Sequence, residues 1–354
     1  MKALVLSGGK GTRLRPFTHS MPKQLVPVGN KPVLVHCLEN IRDIGVTEIG
    51  LIVGDRRDQI EDVIGDGSAL GLSVTYIEQD APRGLAHTVA IAKDFLGDDD
   101  FVMYLGDNML LQGIQEAAAE FTAERPDAQV VVYKVPNPTA FGVAELGPDG
   151  EVLRLVEKPK EPKSDLALIG VYFFTPAIHQ AVASIAPSAR GELEITDAIQ
   201  WLVTQGADVR AREYAGYWKD TGRAEDILEC NRILLDGLTT AVDGEVDEAS
   251  TLTGEVVIEA GARVVNSRIE GPAVIAAGTV IENSQVGPYT AIGRDCVLTE
   301  AGIADSIVLD GASITQVTGL SGSLVGRQAQ IRSLEDQPSH RLIVGDDTLV
   351  EVAA

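Results

Sequence analysis

The hydrophobic pattern of this 354-residue chain changes its period near residue 240. Before that point, short apolar-rich runs occupy residues 2–6, 48–53 and 101–105, and residues 73–78 read as a further strand. Runs of this length without helical spacing predict buried strands. Between them the apolar positions move to helical spacing. Val33, Leu34, Leu38 and Ile41 share one stripe of a helix predicted over residues 32–44, and Gly45 ends it. Residues 59–64 predict a short helix, and residues 85–96 a longer one that starts after Gly84. Strand and helix in alternation predict an α/β architecture with a parallel sheet and covering helices. The middle third continues the pattern, with strands at 129–134, 142–146, 152–157 and 167–174 and helices from Ile195 and over 224–235. Ligands of such sheets bind beyond the carboxyl ends of the strands. Three segments fall at such ends: the glycine-rich residues 8–11, residues 79–84, and Gly106-Asp107-Asn108.

After residue 240 the chain takes short steps. Ile258, Ile269, Ile275, Ile281, Ile292 and Leu298 mark aliphatic positions that recur at six residues, with slips of one at Val286 and near Leu309. This is the hexapeptide pattern of a left-handed parallel β-helix. It predicts a boundary between residues 1–238 and a solenoid domain over 239–354, whose open end segments 332–336 and 341–352 would cap. The solenoid has no evident anion loop and is expected to stay out of the chemistry. Its flat faces and strand edges predict self-association into a homo-oligomer.

Charge narrows the partners. Twenty-nine Lys and Arg against 52 Asp and Glu give a net charge of −23, which argues against nucleic acid or an anionic membrane as partner. A nucleotide site must then be a local basic island, and residues 10–23 form one. Cys37, Cys230 and Cys296 are odd in number and far apart, which suits a reducing compartment and neither a disulfide framework nor a zinc site. Met1 leads directly into the first strand, and no apolar run is long enough to span a bilayer. A cytoplasmic location is expected.

The candidate chemistry starts in that island. Gly8, Gly9 and Gly11 follow the first strand, with Lys10, Thr12, Arg13 and Arg15 among them and Lys23 after Pro22. Glycines let backbone N–H groups close on an anion, and the cations add full charges at the same place. The spacing is neither a P-loop nor a GxGxxG fingerprint. The whole string GGxGTRLxP…PKQ resembles the signature of the sugar-1-phosphate nucleotidylyltransferases. Its KQL ending and the motifs that follow look most like the glucose-1-phosphate thymidylyltransferases, in the longer form that ends in a β-helix.

That resemblance implies a Rossmann-like, mostly parallel nucleotidyltransferase domain followed by the left-handed β-helix, and a reaction of dTTP with α-D-glucose 1-phosphate that gives dTDP-glucose and pyrophosphate for deoxysugar synthesis. UTP as the nucleotide, or an N-acetylhexosamine phosphate as the sugar, is the alternative, and an inert regulatory homologue is a remoter one. It implies Mg²⁺ held by Asp107, in YLGDN, and by Asp220, in WKDTG, with the two carboxylates on opposite lobes. Alone, Asp107 would read as a turn residue and Asp220 as a helix N-cap. Leu6, Gly8, Gly9, Gly11, Thr12, Arg13 and Gly106 would contact the nucleotide, with Gln24, Gln79 and Gly84 on its base. Without the resemblance Gln79 reads as a surface residue. Arg13 would hold the departing pyrophosphate, and Lys23 and Lys158 would neutralise the reacting phosphates. Gly142, Glu157, Lys158, Gly170, Tyr172 and Trp218 would form the sugar-phosphate side. Glu192, Glu194 and Asp197 belong to that side or serve as partners of a helix N-terminus. Phe141 departs from the Tyr common in the family. No His lies in residues 256–334, so the acyl transfer seen in other hexapeptide solenoids is not expected.

Overall fold

A computed structural model describes residues 1–148, 150–333 and 346–351. By their internal contacts these fall into two compact units. One comprises Met1–Lys10 and Val33–Asp220, and the other Gly11–Pro32 and the chain from Thr221 onward. Most of the two segments expected to cap the solenoid lies outside the described residues.

The first unit is built on a nine-stranded sheet. Lys2–Leu6 lies between Glu48–Val53 and Phe101–Leu105, parallel to both, and Ser73–Glu78 adds in parallel at the edge. Beyond Phe101–Leu105 the sheet turns antiparallel, through Leu166–Phe174 to Ala128–Lys134 and Gly142–Leu146. Val152–Glu157 pairs with Gly142–Leu146, and Val209–Glu213 runs parallel to Ala128–Lys134. Ala3, Leu4, Val5, Phe101, Val102 and Phe173 are wholly buried, as runs covered on both faces must be. Phe101 packs on Phe174 and Phe121 on Phe173, each at 5.4 Å between ring centroids.

The helices fall where the apolar stripes put them: Val33–Arg42, Arg57–Ile64, Ile195–Thr204 and Ala224–Leu235. The helix predicted over 85–96 is in two pieces, Leu85–Ile91 and Lys93–Leu96. They meet at Ala92, whose ψ of 3° leaves the helical range. Thr88 Oγ1 donates to the Leu85 carbonyl at 2.7 Å just ahead of this break, a bond that competes with the helical ladder. Gln115–Glu124 and Ala177–Ser184 are helices that the sequence reading passed over.

The second unit holds the left-handed parallel β-helix, three stacked sheets of six, six and five short strands. The coil is 17 residues long: Val256 pairs with Ala273, Arg263 with Val280 and Arg268 with Gln285. Each coil therefore takes two six-residue steps and one of five. Some pairings depart from 17: Ala241 meets Val257, Ala291 meets Ile307 and Val297 meets Ser313 after 16 residues, and Glu245 meets Arg263 after 18. The corner that carries Gly271-Pro272 and Gly287-Pro288 in earlier coils has lost a residue at Asp305-Ser306. These are the slips seen in the sequence. Ile258, Ile269, Ile275, Ile281, Ile292 and Leu298 are wholly buried in one core, each contributing roughly 2 kcal/mol by leaving water.

The stretch Gly11–Pro32 belongs to this second unit. Its single turns of 3₁₀ helix, Thr12–Leu14, Phe17–His19 and Lys23–Leu25, precede a hairpin of Pro27–Val28 with Lys31–Pro32. Asn231, wholly buried on helix Ala224–Leu235, accepts from the Gly29 N–H at 3.0 Å and donates to the Tyr289 carbonyl at 3.0 Å. Asn30 donates to the Ile292 carbonyl at 2.7 Å. Both carbonyls belong to the solenoid. Further along, Arg15 and His19 lie against the Asp347 carboxylate, at 3.4 and 3.1 Å.

Candidate active site

In the sheet unit, backbone bonds continue the parallel ladder one residue past the strand ends. The Ser7 N–H donates to the Ile52 carbonyl at 2.9 Å, Gln79 to Val53 at 2.8 Å, and Gly106 to Leu6 at 2.9 Å. Ser7-Gly8-Gly9, Gln79 and Gly106-Asp107 are thereby fixed side by side on one edge. Leu6 is buried beneath them, and Ser7 Oγ is buried without a protein partner among the described residues. Gln79 turns its Oε1 toward Gly8, where an added Cβ would stand 3.6 Å away. Its Nε2 lies 3.2 Å from Nδ1 of His87. Gly84 requires its lack of a side chain: its φ is +99°, and a Cβ would fall 2.3 Å from the Leu193 carbonyl oxygen.

The two acidic residues come together on paired strands. Asn108–Leu110 and Trp218–Asp220 run antiparallel, with Asp220 opposite Asn108. Asp220 is thus one register position from Asp107. The sequence reading set these carboxylates on opposite lobes; instead Asp220 ends one strand of a small sheet and Asp107 directly precedes the other. Asn108, which that reading named in the segment without giving it a role, ties Asp107 to Trp218. Its Nδ2 donates to Asp107 Oδ1 at 3.1 Å, and its Oδ1 accepts from the Trp218 indole at 2.7 Å. Trp218 is buried, with Tyr133 and Phe141 at 5.6 and 5.5 Å between ring centroids. Phe141 needs no hydroxyl in that contact. Cys37 lies below, its thiol pushed up by burial and then by Asp107. The donor set of two carboxylates suits a hard divalent cation such as Mg²⁺, which takes one or two carboxylates and completes its shell with substrate oxygens. The described residues contain no group of three or more His, Cys, Asp or Glu placed as ligands.

The expected sugar-phosphate residues gather around Glu157. Register sets Glu157 opposite Gly142. Lys158 Nζ and Arg190 meet Glu157 Oε1 at 3.0 and 3.4 Å, and Thr196 Oγ1 donates to Oε2 at 3.3 Å. Lys158 has φ of +43°, an uncommon backbone for a side chain of this kind and one that recurs at functional positions. Arg190 also meets Glu192 at 2.5 Å and Glu194 at 3.3 Å. It is the hub of the RGELEITD segment, a role that no local spacing signals. Glu194 is the N-cap residue of Ile195–Thr204 without a side-chain cap bond, and its carboxyl is raised by burial. Asp197 is raised by burial and then by Glu157. Tyr172 is buried in the sheet core, its hydroxyl raised by burial and then by Glu157. Gly170, at φ +79°, packs on Leu105.

The remaining predicted residues, Gly11, Thr12, Arg13, Lys23 and Gln24, lie in the solenoid unit. Gly11 has φ of +58°, and its carbonyl accepts from the Thr18 hydroxyl at 2.7 Å. Thr12 and Arg13 are exposed, Lys23 half-buried and Gln24 buried.

A strand-end glycine turn, a pair of carboxylates on a small second sheet and a Lys–Glu–Arg cluster in one α/β unit define a nucleotide-handling enzyme class. Residues 2–237 match the nucleotidyl transferase family, and the chain belongs to it. The chain is 54% identical over 355 residues, the full length of both proteins, to a glucose-1-phosphate thymidylyltransferase of Streptomyces griseus. It is 53% identical over 354 residues, 99% of each chain, to one of Streptomyces antibioticus. Among solved structures, a candidate glucose-1-phosphate thymidylyltransferase from Bacillus anthracis superposes with a TM-score of 0.62 at 35% identity, over 66% of this chain and 95% of that one.

Proposed function

We propose that this enzyme transfers the thymidylyl group of dTTP to α-D-glucose 1-phosphate, giving dTDP-glucose and pyrophosphate. The observation that carries the reading is the strand register that brings Asp220 to Asp107, in a chain that matches thymidylyltransferases along its whole length. Asp107 and Asp220 would hold Mg²⁺, which when bound supplies positive charge to the phosphates. The amides of Gly8, Gly9 and Gly11, with Thr12 and Arg13, bind the triphosphate, and Ser7 Oγ is a further donor at that turn. Gln79, Gln24 and the backbone at Gly84 read the base. Gly142 and Glu157 bind the glucose hydroxyls, and Lys158 binds the sugar phosphate. Gly170, Tyr172 and Trp218 shape that side from beneath.

A sugar-phosphate oxygen attacks the α-phosphorus in line, Lys23 and Lys158 neutralise the reacting phosphates, and Arg13 holds the departing pyrophosphate. No covalent enzyme intermediate is needed, since positioning and charge lower the barrier. Three free, buried cysteines and the lack, among the described residues, of a helix long and apolar enough to cross a membrane support a cytoplasmic reading. The solenoid faces support a homo-oligomer. Purified protein given dTTP, glucose 1-phosphate and Mg²⁺ should release pyrophosphate and dTDP-glucose in equal amounts, and chelation should stop it. Turnover undiminished by a chelator would overturn the metal assignment; no dTDP-glucose would overturn the reaction.

A further inference from the structure

The base reader Gln79 does not set its own orientation. Its main chain is fixed at the sheet edge by the bond to Val53. Its amide can still turn over, exchanging an acceptor for a donor at nearly the same place. Among the described residues, the side-chain partner that distinguishes the two ends is His87, two residues into helix Leu85–Ile91. In the observed arrangement Nε2 faces His87 Nδ1 at 3.2 Å and Oε1 faces Gly8. An amide nitrogen is only a donor, so His87 Nδ1 must accept, which fixes the imidazole as the tautomer with its proton on Nε2.

We infer that His87 is a specificity-determining positioning residue: by accepting from Gln79 it holds an acceptor oxygen toward the nucleotide turn, and so selects a pyrimidine that offers an N3–H. Thymine and uracil carry that N–H. Cytosine has a bare N3, which meets an acceptor with two lone pairs opposed. Were the amide reversed, its NH₂ would suit cytosine and leave the thymine N3–H facing a donor. A site whose hydrogen-bond polarity is set in this way discriminates more strongly than one that measures size. This rests on the reading of Gln79 as a base contact, and it adds the element that gives the contact its sign.

The test uses variants of opposite polarity in the full-length enzyme. In His87→Glu the new side chain can only accept, and in His87→Lys it can only donate. The ratio of kcat/KM for dTTP to that for dCTP is measured with glucose 1-phosphate saturating. The Glu variant should stay within about threefold of the parent. The Lys variant should lose at least tenfold of the ratio, mainly through KM for dTTP. Equal ratios in the two variants overturn the inference. Gln79→Ala separates the layers: if it raises KM for dTTP while the two His87 variants behave alike, Gln79 reads the base and His87 does not orient it. If Gln79→Ala leaves KM for dTTP unchanged, the base reading itself fails and the inference with it. Should either His87 variant fold poorly, ¹⁵N NMR of the parent decides. Nδ1 should resonate as an unprotonated acceptor, and a protonated Nδ1 at neutral pH overturns the inference.

Discussion

In the sheet unit, Ser7, Gln79 and Gly106 are held by backbone bonds that prolong the parallel ladder past each strand end. In the solenoid unit, Gly11–Pro32 has no ladder beyond a two-residue hairpin, and side-chain amides tie it down: Asn231 to Gly29 and Asn30 to Ile292. A ladder bond survives most side-chain substitutions; an amide strut does not. Two solenoid carbonyls, Tyr289 and Ile292, anchor the stretch that carries Arg13 and Lys23.

The largest expected effect lies on the ladder side. Asp107→Asn and Asp220→Asn should each lower turnover by about two orders of magnitude or more with the fold intact, because each removes charge from the phosphate site and not from the core. Circular dichroism and the pyrophosphate assay check this together. Near-normal turnover in either variant removes that residue from the site.

The strut side is tested by Asn231→Leu. It leaves the Gly29 N–H and the Tyr289 carbonyl without this partner in a part-buried setting, at a cost of about 1–3 kcal/mol in all. The melting temperature should fall by several degrees, and KM for the nucleotide should rise about tenfold as Arg13 and Lys23 lose their support. Asn231→Asp keeps the acceptor for Gly29 and should fall between. Ending the chain at Leu238 removes both carbonyl anchors at once and should weaken nucleotide binding at least as much. Unchanged nucleotide KM in Asn231→Leu would erase the contrast between the two regions.

The smallest effect is a pH dependence around Glu157. Burial raises the Asp197 carboxyl, and Glu157 adds to it. The folded protein therefore holds a proton that the unfolded chain, with an ordinary value near 4, has released. In the window from that value up to the raised one, stability falls as pH rises. Asp197→Asn should make the urea midpoint fall less between pH 4 and pH 7 than in the parent. A larger fall in the variant would reverse the sign.

Most strand boundaries were legible because a buried strand needs an apolar run, as at Glu48–Val53 and Phe101–Leu105. The solenoid was legible because each coil repeats its aliphatics, slips included. The helix Gln115–Glu124 was not, since its buried face is Ala117, Ala118 and Phe121, too weak a stripe to stand out. The site was legible as motifs and not as connections. Asn108 to Trp218 and Asn231 to Tyr289 span 110 and 58 residues, and nothing local announces such pairs. Trp218 shows the consequence, because its indole is spent on Asn108, beneath the sugar-phosphate side.

The most direct measurement is pyrophosphate release over a grid of dTTP and UTP against glucose 1-phosphate and N-acetylglucosamine 1-phosphate. The two nucleotides differ by one methyl on the base and one hydroxyl on the sugar, and a methyl discriminates by about 1–3 kcal/mol. Both nucleotides should therefore react, with the highest kcat/KM for dTTP and glucose 1-phosphate. Equal or greater efficiency with UTP, or with the N-acetylated sugar, would contradict the assignment.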